Sequence, residues 1–188
     1  MILNKKDLLE YTRADRNASN RPKGGILNML FYSETFYVQT YLETLRKLEL
    51  LLNKKRNPLE QLAYVFTFWR YKRLSFKLQI TIPPNVAGPG LSIQHLGNIV
   101  INSNARLGSR NTLQPGVVIG QKDSPENVPV TGDDVYFGPG CKVIGKIRIG
   151  NNVTIAPNSV VIKDVPDNCV VSGVPAVIIK QKNVPTNV

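Results

Sequence analysis

The chain has 188 residues, with 24 Lys and Arg against 13 Asp and Glu, two Cys and one His. This length supports a core without disulfides or metals. A single His excludes a zinc site built from several His of one chain, and Cys141 and Cys169 lack the CxxC spacing of a zinc ribbon or the density of a disulfide scaffold. The net charge of +11 points to an anionic partner: nucleic acid, a membrane surface or a phosphorylated ligand. The opening MILNKKDLLE carries charges where a signal peptide needs an apolar stretch, and no long apolar run follows. A soluble, cytoplasmic protein is expected.

The chain divides after Ile80. The first part holds 12 of the 14 aromatic residues but only 2 of 14 Gly and 2 of 13 Pro, and its 15 basic and 7 acidic residues leave it at +8. The rest, with 9 basic and 6 acidic residues, stands at +3. Along the first part, Asn4 is placed to cap a helix running through Asp7 to about Arg16, with the acid three positions after the cap. Arg21-Pro22-Lys23-Gly24-Gly25 reads as a loop. Between Leu30 and Leu52, apolar residues recur at Val38, Tyr41, Leu42, Leu45, Leu48 and Leu52, a one-face helical pattern. Asn57-Pro58-Leu59-Glu60 is a strong helix start, with a cap, Pro in the first turn and an acid at the third position. Leu62, Phe66 and Trp69 then share a face. Arg70, Lys72 and Arg73 sit toward the other end, where cations complement the helix dipole.

A period of six fills the second part. Phe137, Val143, Ile149, Ile155 and Val161 are each six apart, and three of them precede Gly138, Gly150 and Ala156. Four positions after each come Cys141, Ile147, Val153, Ser159 and Val165, again small or apolar. Upstream, Ile101, Leu107, Leu113 and Ile119 keep the same spacing, and Ala87, Ile93 and Ile99 repeat it in a shifted register. Neither the period of a strand nor that of a helix explains this. A hexad is a short strand plus a turn, three hexads close one triangular coil, and stacked coils bury the aliphatic residue while small residues take the corners. The helical part is a natural cap for one end. The expected fold class is mainly β, a left-handed parallel β-helix with an N-terminal α-helical region. Its expected divisions are residues 1–80 (helical, for oligomerisation or capping), 81–182 (β-helix) and 183–188 (tail).

This pattern resembles the hexapeptide-repeat acyltransferases over roughly residues 80–182. Gly88-Pro89-Gly90-Leu91-Ser92-Ile93-Gln94-His95-Leu96-Gly97-Asn98-Ile99-Val100-Ile101 is similar to the serine acetyltransferase group, in which the His of this motif is catalytic. The endings Ser159 to Pro166 and Ser172-Gly173-Val174-Pro175-Ala176 resemble its acetyl-CoA-dependent members. Serine acetyltransferases proper carry an Asp upstream of that His, where this chain has Ile80 and Thr81. They carry a second His where it has Asn127-Val128-Pro129-Val130. Those departures, with Gly-Pro-Gly-Leu before the His, are similar to O-acetyltransferases of capsular and exopolysaccharide synthesis. The resemblance therefore implies acetyl transfer from acetyl-CoA to a sugar hydroxyl, with serine O-acetylation as the alternative. A non-catalytic β-helix assembly module is a weaker rival, and a zinc-dependent β-helix enzyme would need three His.

The chemistry needs few groups. An imidazole that titrates near neutrality can take the hydroxyl proton as it attacks the thioester, and His95 is the only imidazole. A backbone carbonyl, a side-chain amide such as Asn85 or a carboxylate from a neighbouring chain is left to orient it by accepting the other ring N–H. The inward register of Cys141 makes it core. The resemblance implies a homotrimer, extensible to a dimer of trimers, with CoA along a groove between subunits at Gly120, Gly138, Pro139, Ala156 and Pro157. Pro139 and Pro157 offer a carbonyl but no N–H. Lys163, Lys180 and Lys182 face the CoA phosphates in this reading. Gln94 and Gln114 join Asn85 as candidate acceptor contacts, and Gln121–Val130 is a loop that interrupts the coils. No metal is expected. The basic arm carries no nucleic-acid-binding motif. It reads first as a solvated surface and second, through Trp69 to Arg73, as a peripheral contact with anionic membrane.

Overall fold

The computed structural model describes residues 1–19 and 33–183. The expected loop at Arg21–Gly25, the expected helix start at Leu30 and all but the first residue of the 183–188 tail lie outside the described residues.

Among the described residues, three helices precede the strands. α1 (Lys5–Ala18) begins where Asn4 accepts a hydrogen bond from the Asp7 N–H at 3.0 Å. α2 (Glu34–Leu52) buries Val38, Tyr41, Leu42, Leu45 and Leu48 along one face, as the spacing predicts, but Leu52, at its last residue, is exposed. α3 (Pro58–Leu78) opens on a capping box. The Glu60 N–H donates to Asn57 Oδ1 at 2.9 Å, and Glu60 Oε2 accepts from the Asn57 N–H at 3.2 Å. Gln79, in the left-handed region at φ 55°, ends α3 and turns the chain into the first strand.

The strands wind into a left-handed parallel β-helix of triangular section. Its first face stacks β1 (Ile80–Thr81), β3 (Ile99–Ile101), β6 (Val118–Gly120), β9 (Lys142–Ile144) and β12 (Val160–Val161). The second stacks β4 (Arg106–Leu107), β7 (Val130–Thr131) and β10 (Arg148–Ile149), extended by bridges at Ala87 and Val165. The third stacks β2 (Ser92–Ile93), β5 (Thr112–Leu113), β8 (Tyr136–Phe137), β11 (Thr154–Ile155) and β13 (Cys169–Gly173). β14 (Ala176–Gln181) folds back antiparallel on β13 and closes that end.

The register explains the period of six. Ile93, Leu113, Phe137, Ile155 and Val171 lie level on the third face, and all are buried. Corners need small residues because successive coils touch there. A Cβ on Gly138 would lie 2.6 Å from the Ile155 carbonyl oxygen. Thr131 follows Leu107 by one hexad more than Ile149 follows Thr131, and Gln121–Pro129, between β6 and β7, holds those six extra residues looped out.

The helices cap the first coil. The Tyr71 hydroxyl donates to the Ile82 carbonyl at 2.8 Å, and the Ile82 N–H donates to the Tyr41 hydroxyl at 3.1 Å, which satisfies backbone groups that no preceding coil can meet. Burial raises the pKa of both phenols, so they remain neutral hydrogen-bonding groups.

Candidate active site

His95 follows β2 at the corner where the third face turns into the first. Its side chain is 63% exposed. The next corner residues allow it to stand clear: Gly97 has φ +132°, and a Cβ there would press within 3.3 Å of Pro115.

Glu34, at the first turn of α2, meets this corner. Its Oε2 lies 3.4 Å from His95 Nδ1, and its Oε1 accepts the Leu96 N–H. One carboxylate thus touches both the ring and the backbone beside it. That arrangement favours a proton on Nδ1 and leaves Nε2 as the basic nitrogen. The expected ring partner Asn85 is engaged elsewhere. Its amide pairs reciprocally with that of Asn53 at 2.8 Å, and its N–H donates to Glu49 at 2.8 Å. A carboxylate of the same chain stands beside the ring.

A second carboxylate set fixes the approach to β2. Arg46 is fully buried, 2.8 Å from Asp15 and 3.0 Å from Glu49, and it donates to the Ala87 and Gly88 carbonyls at 2.9 and 2.8 Å. Asp15 Oδ1 in turn accepts the Gly90 and Leu91 N–H groups, each at 2.8 Å. The Gly88–Leu91 segment leading to His95 is therefore held by α1 and α2 together. Burial works to lower the Arg46 pKa, but the two carboxylates outweigh it and raise the value, so the guanidinium stays charged.

Most of the remaining candidate residues fall on two corners. Gln94, Gln114, Gly138 and Ala156 are level on successive coils: the Gln94 N–H donates to Leu113, that of Gln114 to Phe137, that of Gly138 to Ile155 and that of Ala156 to Val171. His95, Pro115, Pro139 and Pro157 come next at the same corner, one above another. Gln94 Nε2 donates to Ser92 Oγ at 2.7 Å. Gly120 and Lys163 lie apart from these within the single chain, at the corner between the first and second faces. The looped hexad leaves from that corner, tied to coil two by Asn102 and Asn104, which donate to Gln121 and to the Pro125 carbonyl at 3.0 Å each. Lys180 is exposed on β14, level with Val170. Lys182 donates to Asn152 Oδ1 at 2.9 Å, and burial draws its pKa below the usual range. Cys141 is buried, its thiol pushed up to about 12 by desolvation, as a core residue requires. Among the described residues, no three His, Cys, Asp or Glu side chains gather where a metal could bind.

Glu34 and the Asp15–Arg46–Glu49 cluster escape the sequence reading. Glu34 stands 61 positions from His95, and nothing local links them. Arg46 did carry a signal: a cation one turn beyond Leu42 on the apolar face of α2, with Glu49 three positions on.

Residues 129–163 match the family described as Bacterial transferase hexapeptide (six repeats). Serine acetyltransferase of Synechococcus elongatus is 38% identical over 99 residues, 52% of this chain and 41% of that protein. The Mycobacterium tuberculosis serine acetyltransferase is 39% identical over 101 residues, 53% and 44% of the two chains. The chain spans less than half the length of these curated relatives. Among solved structures, the Brucella abortus serine acetyltransferase in complex with coenzyme A superposes with a TM-score of 0.74 at 27% identity, covering 95% of this chain and 70% of that one. The Neisseria gonorrhoeae serine acetyltransferase in complex with serine gives 0.69 at 26% identity, covering 94% and 70%. The expectation of a polysaccharide O-acetyltransferase is thereby corrected, because the relatives are serine acetyltransferases. Fold, repeat and relatives converge on the hexapeptide-repeat acyltransferases of serine acetyltransferase type as the group this chain is similar to.

Proposed function

We propose that the chain is an acetyl-CoA-dependent O-acetyltransferase of serine acetyltransferase type, with His95 as general base and the serine hydroxyl as acceptor. The observation that carries this reading is the Glu34–His95 contact: an exposed imidazole at a coil corner whose Nδ1 faces a carboxylate. The relatives at 38 and 39% identity support the acceptor and the donor.

In this mechanism Nε2 takes the hydroxyl proton as the serine oxygen attacks the thioester carbonyl. The carbon–oxygen bond forms, a backbone N–H holds the tetrahedral oxyanion, the carbon–sulfur bond breaks, and the imidazolium returns its proton to the departing thiolate. Glu34 holds the Nδ1–H tautomer and stabilises the imidazolium. It supplies the acid that the Ile80–Thr81 position lacks. Residues 1–80 serve as the capping arm, and residues 81–182 carry catalysis.

CoA runs along the stacked corner at Gly138, Pro139, Ala156 and Pro157. The carbonyls of Gly138, Pro139 and Ala156 each already accept one N–H, leaving a second lone pair for a pantetheine amide. Gly120 and Lys163 sit at a different corner, and so complete that groove in a homotrimer, where corners of neighbouring copies meet. Lys163 and Lys180 then address the phosphates. Incubation with acetyl-CoA and L-serine, read by thiol release and mass spectrometry, tests the proposal. O-acetylserine that disappears with His95→Ala is the expected result. Absence of O-acetylserine at saturating acetyl-CoA overturns the acceptor, and full activity of the variant overturns the base.

A further inference from the structure

The outward face of α3 is not used by the site. Leu62, Val65, Phe66, Trp69 and Phe76 are all exposed along it, Phe76 at 91%. At helical spacing these residues form one stripe, with Arg70, Lys72, Arg73 and Lys77 interleaved or alongside. From residue 61 to 78 the helix contains no Asp or Glu. The cations lie against the rings: the Arg73 guanidinium is 4.9 Å from the Trp69 ring centre, and the Lys72 ammonium is 5.5 Å from that of Phe68. Lys77 donates to the Tyr37 hydroxyl of α2 at 3.2 Å, so the face continues onto the neighbouring helix.

Two physical facts choose the occupant. Large aromatic side chains held in water gain by burial, and Trp with flanking Arg and Lys suits the boundary between headgroups and acyl chains. A second copy seated face to face would bring four cations against four others with no acid between residues 61 and 78 to offset them. An anionic surface reverses that sign. No helix among the described residues is long and apolar enough to cross a membrane, so the helix would lie on the surface rather than span it.

We infer that the outward face of α3 is a peripheral docking surface for anionic lipid membranes, with Phe66, Trp69 and Phe76 entering the interface and Arg70, Lys72 and Arg73 pairing with headgroups. This assignment is independent of the acetyl acceptor. It places the chain, and the His95 corner carried by the same unit, at a membrane surface.

Co-sedimentation of the full chain with phosphatidylcholine vesicles, with and without phosphatidylglycerol, tests it. Binding is expected only with phosphatidylglycerol, with a blue shift of the single Trp69 and release by added salt. Replacing both Arg70→Gln and Arg73→Gln should weaken binding on the order of tenfold or more. Phe66→Ser with Phe76→Ser should abolish the blue shift while the melting temperature holds, since both side chains are exposed. Equal binding to neutral vesicles, or none to anionic vesicles at low salt, overturns the inference. Self-association in sedimentation equilibrium that Phe66→Ser with Phe76→Ser removes also overturns it, and makes the face a contact between copies.

Discussion

The β-helix and the helical arm solve opposite problems. Each coil repeats the one before it, so a single rule sets its packing: an aliphatic residue inward at every sixth position, a small one at the corner. The arm repeats nothing. It holds to the first coil through unlike contacts, including the buried Arg46 with its two carboxylates and the Tyr41 and Tyr71 hydroxyls on Ile82. The candidate site lies where the two meet, with His95 from a coil corner and Glu34 from a helix start. A regular scaffold places the proposed base, and an irregular appendage supplies its carboxylate neighbour.

The largest effect is expected from His95→Ala, which should lower acetyl transfer by roughly a hundredfold or more in steady-state kinetics. A change in the arm should act on stability instead. Arg46→Met leaves Asp15 and Glu49 buried without a counter-charge and should cost about 3–5 kcal/mol, measured by denaturant unfolding. Glu34→Gln should fall between these effects in kind. It is expected to reduce kcat by about tenfold, the lower end for a hydrogen bond to a charged group, with little loss of melting temperature. A loss of kcat beside an unchanged melting temperature distinguishes that role from a structural one.

Smaller effects sharpen the contrast between the regions. Asn57→Ala removes the α3 cap and should cost about 1 kcal/mol. Glu60, whose pKa is lowered by hydrogen bonds first from Lys54 and then from the Asn57 N–H, adds stability that is present above its unfolded pKa. That stability should be lost as pH falls through the lower folded value, seen as an acid-side drop in melting temperature. In the coils, Cys141 should resist iodoacetamide in the native protein and react on unfolding, because its raised pKa and burial withhold the thiolate.

Period and composition made the β-helix readable. Ile101, Leu107 and Leu113, and Phe137 through Val161, announce their inward register by spacing alone, and Asn57-Pro58-Leu59-Glu60 announces a helix start. The motif singles out His95, which stands exposed at a coil corner. Glu34 was not readable, because a contact across 61 positions depends on how α2 docks, and that docking rests on Arg46, whose charge conceals it among apolar neighbours. Asn85 was a reasonable candidate for the ring by type, but the fold turns it toward Asn53 and Glu49. The missing Asp and second His point away from serine, whereas the relatives are serine acetyltransferases and the arm brings an acid, Glu34, to the His95 ring.

The most direct test is acetyl transfer to L-serine measured side by side for the wild type, His95→Ala and Glu34→Gln. The wild type should form O-acetylserine, His95→Ala should lose roughly a hundredfold or more, and Glu34→Gln should run at an intermediate rate. Equal rates in all three would contradict the proposed mechanism.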